Sequence, residues 1–356
     1  MAWLRRPAAR VAAYSAEILP GNQVEGGPQE RREDCAGKFA SGLRDHGITA
    51  AVDPLAILLQ PPLGLVFAAI WGLLWGSFFN VATYRLGDAA LADESATWFG
   101  SALQGLKALR SLFYPPSRCP ACRHVIRARD NIPLCGWLLL RGRCRDCHAP
   151  ISAIYPAVEL VSGLLAVAIF QRFVVEEPAP HLLQLERFFV YFFFAGALFV
   201  LSLIDAETTL LPLSITLPAI PAYFLAGRAL HDVSTLDALI GFGVGFGSLF
   251  LLRNGYKLAT GRDGLGGGDE MLVGLVGALL GWRALPITLF LGSTLGVFVA
   301  VPSLLWARRG ATGAANQTSL RHTEVPFGPF LAAGALIYLL FDKVLGVLFY
   351  QWVTGG

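Results

Sequence analysis

Two short cysteine motifs lie in a polar stretch of the sequence. They are Cys119-Pro-Ala-Cys122 and Cys144-Arg-Asp-Cys147, and twenty-one residues separate them. Each Cys-x-x-Cys turn directs two sulfur atoms at one centre, so two turns supply the four thiolates of a closed, structural zinc site. The alternatives are two disulfides, which a reducing cytosol disfavours, or four unrelated thiols. The spacing therefore predicts a structural zinc site formed by these four cysteines.

Two aspartates stand at the ends of apolar runs. Asp205 ends the run 192–204, and Asp269 follows three glycines at 266–268. Charges at apolar spans are costly and often functional. Two facing carboxylates tend to share one proton, so that one can activate water while the other protonates the carbonyl oxygen or leaving group. The alternative is structural, with Asp269 as a helix N-cap and Asp205 at the lipid headgroups.

Two further acids compete for the same chemical role. Glu207 follows Asp205, and Glu270 follows Asp269. Their simpler interpretation is solvation at the membrane boundary.

The composition places these residues in a membrane protein. The 356 residues are 54% hydrophobic and 15% charged, whereas a soluble domain carries about a quarter charged residues. Because the net charge is only +3 and no basic arm or stripe is present, the sequence argues against a nucleic-acid-binding protein. The partner that we expect instead is the lipid bilayer.

Eight apolar blocks are candidates for membrane-spanning helices. They lie near 55–84, 154–172, 187–205, 213–231, 235–253, 269–282, 284–306 and 328–351. The sequence thus predicts an all-α polytopic membrane protein with about eight transmembrane helices and a small zinc-binding cytosolic insertion. We expect a mobile N-terminal extension at 1–56, a first span at 57–84, the zinc-binding domain at 85–153 and a transmembrane core at 154–356.

The basic residues predict the orientation of these spans. Segment 85–152 contains ten Lys and Arg residues, whereas the loop near 173–186 is acidic. Since cytoplasmic loops are enriched in Lys and Arg, both termini are expected outside. The segments expected in the cytosol are 85–152, 206–212, 254–268 and 307–327.

The order of the motifs resembles that of the type IV prepilin peptidases, bacterial membrane aspartyl peptidases related to the pre-flagellin peptidases. The resemblance covers about residues 60–350. The stretches that carry it are Gly76–Val81, Tyr84–Leu86, Asp130–Pro133, Trp137–Cys144, Tyr155–Glu159, Ile204–Asp205, Leu211–Pro212, Gly266–Asp269 and Pro326–Phe330.

The resemblance implies both an activity and its residues. Asp205 and Asp269 would be the catalytic pair, and the four cysteines would be the zinc site. The expected reaction removes the basic leader from type IV prepilins and type II secretion pseudopilins, at the cytosolic face of the bacterial inner membrane. Many members also methylate the new N-terminus with S-adenosylmethionine. Gly76, Asn80 and Glu159 are candidates to shape that second site, with helix packing as the alternative.

The chain departs from the family pattern near both aspartates. Met271 stands where the family usually has lysine, and Leu213 where it commonly has aspartate. Both carboxylates remain in place.

Three other functions are compatible with parts of the sequence. A proton-coupled transporter would need polar residues in mid-bilayer. A membrane thiol oxidoreductase would use the cysteines as redox-active disulfides. A non-catalytic scaffold would bind pilin-like helices without cutting them.

Overall fold

The computed structural model describes residues 54–92, 110–114, 116–261, 266–310 and 326–354. The predicted N-terminal extension lies outside this part of the chain up to residue 53. The described residues are almost entirely helical. Their extended pairing consists of two isolated bridges, Arg118 with Val125 and Arg143 with Pro150.

Ten α-helices follow one another along the described chain. They are α1 (Pro54–Leu59), α2 (Leu63–Ala92), α3 (Cys135–Leu139), α4 (Ile154–Phe170), α5 (His181–Thr208), α6 (Leu213–Leu230), α7 (Thr235–Thr260), α8 (Gly267–Leu280), α9 (Ala284–Gly310) and α10 (Gly328–Thr354). A 3-10 turn at Ala128–Asn131 precedes α3, and a π-helical turn at Gln171–Val175 extends α4.

The all-α polytopic architecture is confirmed. Six helices are long and apolar enough to cross a membrane, namely α2, α4 with its π-helical turn, α5, α7, α9 and α10. The other two predicted blocks form α6 and α8. With 14 residues, α8 is only about 21 Å long, so it is shorter than the hydrocarbon layer. The helix of the first span continues to Ala92, beyond the predicted end at residue 84.

The central helix of the bundle is α5, which packs against α2, α4, α6 and α10. Its side chains Phe188, Phe192 and Leu201 are fully buried. An apolar surface on all sides is what makes a helix suitable for the middle of a bundle. Asp205 lies one helical turn after Leu201 on the same face of α5, so its carboxylate is also enclosed by neighbouring helices.

Glycines allow two helix pairs to approach closely. A Cβ on Gly72 of α2 would lie 2.5 Å from the carbonyl oxygen of Ser162 on α4. Between α7 and α8, an added Cβ on either Gly241 or Gly277 would overlap the backbone of the other. Helices in lipid gain stability from such close packing rather than from a hydrophobic driving force. These contacts hold α4 and α8 in fixed positions.

The end of the bundle opposite Asp205 carries a network of ion pairs. Arg172, in the π-helical turn, pairs with Glu177 and lies 2.6 Å from Asp342 of α10. Arg187 of α5 pairs with Asp232 in the α6–α7 loop. Buried cations require such partners. The network links the end of α4 to α5, α10 and the α6–α7 loop, near the end of α5 that lies away from Asp205.

Candidate active site and metal centre

Asp205 lies in the last turn of α5, where it is only 4% exposed. Its Oδ2 accepts a hydrogen bond of 2.9 Å from the backbone N–H of Gly328, the first residue of α10. The free N–H groups at a helix N-terminus are suited to hold a carboxylate. A backbone donor from the last helix therefore fixes the orientation of the Asp205 side chain.

The close approach of α10 to Asp205 requires a glycine at position 328. A Cβ there would lie 2.7 Å from Oδ2 of Asp205. Because real Cβ contacts are longer, any side chain at this position would displace the carboxylate.

Asp269 lies in the first turn of α8 and is 6% exposed. The N–H of Asp269 donates to the carbonyl of Gly266 at 3.3 Å, which starts the helix. Gly268 lies against Leu211 so closely that an added Cβ would overlap that side chain. The glycine run thus allows the first turn of α8 to pack closely against Leu211, just before α6.

Asp205 and Asp269 lie near one another at the same end of the bundle. Helices α5 and α8 both contact α10, and the two carboxylates are close enough for their charges to interact. Within the described residues, neither side chain forms an ion pair with a cation. Two buried carboxylates whose charges repel do not readily ionise together. The arrangement can therefore supply an acid and a base to one substrate bond.

The two rival acids occupy different environments. Glu207 is exposed, whereas Glu270 is 5% exposed, with its Oε1 3.4 Å from a guanidinium nitrogen of Arg253 on α7. The guanidinium also lies against the backbone of Gly267. The sequence analysis did not identify Arg253, since only the pairing of α7 with α8 brings it to this place. Arg253 therefore forms an ion pair with the acid beside Asp269.

The four cysteine sulfurs of the two motifs lie within 4.8 Å of one another. The sulfurs of Cys119 and Cys147 are 3.8 Å apart, and a tetrahedron with zinc–sulfur bonds of about 2.3 Å has edges of roughly 3.8 Å. All four are free thiols. Backbone N–H groups of Cys122 and Ala121 lower the pKa of the Cys119 thiol to about 7, whereas burial and the neighbouring sulfurs raise the pKa of the Cys122 thiol. The group could hold a metal ion, and its donor set fits zinc.

The two cysteine motifs fold as copies of one turn. The N–H of Arg123 donates to the carbonyl of Cys119, and the N–H of His148 donates to that of Cys144, at 2.8 and 3.0 Å. Arg123 and His148 both have a left-handed backbone, with φ of 60° and 58°. Each turn therefore directs its two sulfurs in the same way, and the two pairs of sulfurs lie opposite one another.

The cysteine-containing segment joins the bundle at the end that holds the aspartates. Gly87, near the end of α2, faces Ile204, the residue before Asp205, at the distance of ordinary contact. On the other side of the segment, Oε2 of Glu159 in α4 accepts a 2.8 Å hydrogen bond from the N–H of Leu134. The buried Glu159 thus ties the segment to α4.

Gly76, Asn80 and Glu159 meet where α2 packs on α4. Nδ2 of Asn80 donates to the carbonyl of Tyr155 at 3.1 Å, and a Cβ on Gly76 would lie 2.7 Å from Cα of Glu159. These contacts serve helix packing. A role of the same residues in binding a methyl donor stays a prediction.

The fold and the site define a polytopic helical membrane protein with a buried carboxylate pair and a four-cysteine cluster. Residues 70–173 match the family model of the bacterial peptidase A24 N-terminal domain, and residues 192–301 match that of the type IV leader peptidase family. The chain belongs to the type IV leader peptidase family.

Curated relatives match over most of their length. The prepilin leader peptidase/N-methyltransferase of Burkholderia pseudomallei (strain K96243) is 37% identical over 325 residues, which are 89% of this chain and 97% of the relative. Those of Stutzerimonas stutzeri and Pseudomonas aeruginosa are each 35% identical, over 84% of this chain and 98% of the relative. No solved structure matches the chain.

Proposed function

We propose that this protein is a membrane aspartyl endopeptidase that removes the basic leader from type IV prepilins and type II secretion pseudopilins. The observation that carries the proposal is the pair of buried aspartates, Asp205 and Asp269, at one end of a helical membrane bundle. The relatives named as prepilin leader peptidases support the choice of substrate.

The reaction needs only water and the two carboxylates. With one proton shared by Asp205 and Asp269, the ionised carboxylate takes a proton from water as the water attacks the scissile carbonyl carbon. The protonated carboxyl donates its proton to the carbonyl oxygen, and collapse of the tetrahedral intermediate expels the amine with a proton from the pair. The Gly328 N–H keeps Asp205 in position throughout.

The active site is proposed to face the cytosol of the bacterial inner membrane. The cysteine-containing segment, at the same end of the bundle as the aspartates, belongs to the region 85–152 with its ten Lys and Arg residues. A basic segment of this kind is retained on the cytosolic side.

Zinc and S-adenosylmethionine are the cofactors that we propose. Cys119, Cys122, Cys144 and Cys147 would hold zinc, which stabilises the fold of a segment with little apolar core. S-adenosylmethionine would supply the methyl group for N-methylation of the new N-terminus. The names of the relatives support this second activity.

The test compares purified wild-type protein with Asp205→Asn and Asp269→Asn, and with Glu207→Gln as the matched control. Each protein is incubated with a full-length prepilin, and product masses are measured. We expect cleavage after the leader by the wild type and the control. Both aspartate variants should lose at least about a thousandfold in rate, since each removes one half of the acid–base pair.

Two results would contradict the proposal. If Asp205→Asn or Asp269→Asn cuts at the wild-type rate, the catalytic pair is wrongly assigned. If folded, zinc-bound wild type leaves prepilins and pseudopilins intact, the protein is a scaffold instead. A methyl-sized mass increase with S-adenosylmethionine would establish the second activity.

A further inference from the structure

The first turn of α8 holds the proposed catalytic Asp269 but contains no cation of its own. The helix begins with the residues Gly267–Glu270, and Gly266 before them provides no side-chain cap. Asp269 and Glu270 are both buried, at 6% and 5% exposed. Because glycine leaves the backbone unusually free to adopt other conformations, contacts from neighbouring elements must fix the direction of the Asp269 side chain.

Arg253 of α7 contacts this turn at two points. One nitrogen of its guanidinium lies 3.4 Å from Oε1 of Glu270. The other nitrogen lies against Gly267, where an added Cβ would overlap it. The rigid, planar guanidinium can hold two such contacts in one geometry. Since the two contacts lie on either side of Asp269 along the chain, Arg253 bridges the turn that carries this carboxylate.

The contact with Glu270 is the ion pair of a buried acid. Oε2 of Glu270 is enclosed without a hydrogen-bond partner. Among the residues that the structure describes, Arg253 is the only cation that pairs with Glu270. Because a buried carboxylate requires such a partner, this ion pair holds the first turn of α8 against α7.

Leu211 contacts the same turn without fixing its rotation. An added Cβ on Gly268 would overlap the Leu211 side chain. This contact is apolar, so it sets a distance between the two elements but no direction. The two guanidinium contacts fall on different residues of the turn. They therefore oppose a rotation of the turn about the α8 axis, which would move the Asp269 carboxylate away from Asp205.

We propose that Arg253 is a positioning residue, whose guanidinium bridges Gly267 and Glu270 and thereby directs the carboxylate of Asp269 toward Asp205. This inference rests on the proposed peptidase function and adds a residue of α7 to the groups that orient the acid–base pair. A backbone donor from α10 orients Asp205, and Arg253 has the corresponding role for Asp269. The role requires a group that makes both contacts at once.

The first experiment measures kcat and KM for full-length prepilin in Arg253→Gln. Its matched control is Arg283→Gln, the same exchange just beyond the other end of α8, where the guanidinium lies over the ring of Trp282. We expect kcat of Arg253→Gln to fall about a hundredfold with KM unchanged, since misplacing a catalytic group slows the reaction without weakening the binding of substrate. The control should keep the wild-type kcat.

Arg253→Lys separates position from charge. The lysine ammonium can reach Glu270, but as a single point charge it cannot contact Gly267 as well. This variant should therefore recover only part of the lost rate. Full recovery would overturn the proposal, because charge alone would then be sufficient. A wild-type kcat in Arg253→Gln would also overturn it, and a lower thermal midpoint with that kcat would assign Arg253 to stability only.

The second experiment keeps Arg253 in the chain and displaces its guanidinium. Among the described residues, the atoms that an added Cβ on Gly267 would meet within 4 Å both belong to this guanidinium. Gly267→Ala should therefore lower kcat by about tenfold. The same exchange in the Arg253→Gln protein should add no further loss, because no guanidinium remains to be displaced. Additive losses would show that Gly267 acts independently of Arg253 and would contradict the bridge.

A third measurement does not depend on cleavage. In the double variant Asp205→Cys/Asp269→Cys, a short bifunctional thiol reagent links the two positions, and the linked peptides are quantified by mass spectrometry. Because linking needs the two side chains to face each other, its rate should fall by about tenfold when Arg253→Gln is added. The rate should stay unchanged when Arg283→Gln is added.

The cross-linking result keeps the two proposals apart. An equal rate with and without Arg253→Gln would overturn the positioning role, and so would the absence of a link in all three proteins. A rate that depends on Arg253, together with a wild-type protein that never cuts prepilin, would support the positioning role and refute the peptidase function.

Discussion

The cysteine segment and the helical bundle reach a defined structure by opposite means. Between residues 116 and 153, only Cys119 and Gly136 are buried. In α8, all eleven residues from Asp269 to Leu279 are buried. The structure of the segment depends on backbone turns and on the metal ion proposed for its four cysteines. The structure of the bundle depends on close helix packing. Damage to one region should therefore leave the other intact.

The largest expected effect comes from Cys144→Ser, which removes one of four metal ligands. Bound zinc should fall from one per chain to near zero, and residues 116–153 should become sensitive to protease, because this segment lacks a core of its own. Helix content measured by circular dichroism should stay unchanged. Cys135→Ser, at an exposed cysteine outside the cluster, is the control. Full zinc retention in Cys144→Ser would contradict the proposed metal centre.

Gly277→Leu should destabilise the helical bundle and leave the cysteine segment intact. The new side chain would overlap the backbone of Gly241, and overpacking of this kind costs roughly 1–3 kcal/mol, occasionally more. The thermal unfolding midpoint should fall, while zinc content per folded chain stays at the wild-type value. Gly255→Leu is the control, since an added Cβ there meets open space. Equal midpoints for the two variants would show that the α7–α8 contact is looser than described.

Glu159→Ala tests the connection between the two regions. It removes the only acceptor that the described residues provide for the N–H of Leu134, at a cost of about 1–3 kcal/mol for a lost, partly buried hydrogen bond to a carboxylate. The segment should keep its zinc but exchange amide hydrogens faster around Leu134. Glu159→Gln retains an acceptor oxygen, so its amide exchange rate around Leu134 should lie between those of the wild type and Glu159→Ala. Unchanged exchange in Glu159→Ala would mean that other contacts hold the segment.

The features that the sequence predicted well are those encoded locally. The apolar blocks predicted the helices, and the Cys-x-x-Cys spacing predicted that the four sulfurs lie together. The contacts between different helices could not be predicted, because the sequence does not show which helices become neighbours. No periodicity indicates that Gly328 would bind Asp205, or that Arg253 would pair with Glu270. The helix that contains the first predicted span continues to Ala92, past the end of the apolar run near residue 84, because the chain stays helical after its side chains become polar.

The smallest expected effect is a pH dependence within the cysteine segment. The hydrogen-bonded Arg145 guanidinium, 2.9 Å from Oδ2 of Asp130, lowers the pKa of that carboxyl. Since the pKa is lower in the folded state than the unfolded value of about 3.9, the stabilisation is present above about pH 4. It is lost as the pH falls through the folded pKa.

Tryptophan fluorescence of Trp137 between pH 2.5 and 5 measures this effect. Wild type and Asp130→Asn should both lose zinc in acid as the cysteines protonate. The wild type should unfold at a slightly lower pH than the variant. Identical curves would show that the ion pair contributes nothing to the segment.

The hydrogen bond between Gly328 and Asp205 has a consequence for biosynthesis. The ribosome makes Asp205 well before it makes α10, so the N–H that fixes this carboxylate arrives only when α10 is synthesised. A chain whose translation stops before residue 328 contains both aspartates but lacks this hydrogen bond. In such a chain, the Asp205 carboxylate is without the backbone donor that orients it in the folded protein.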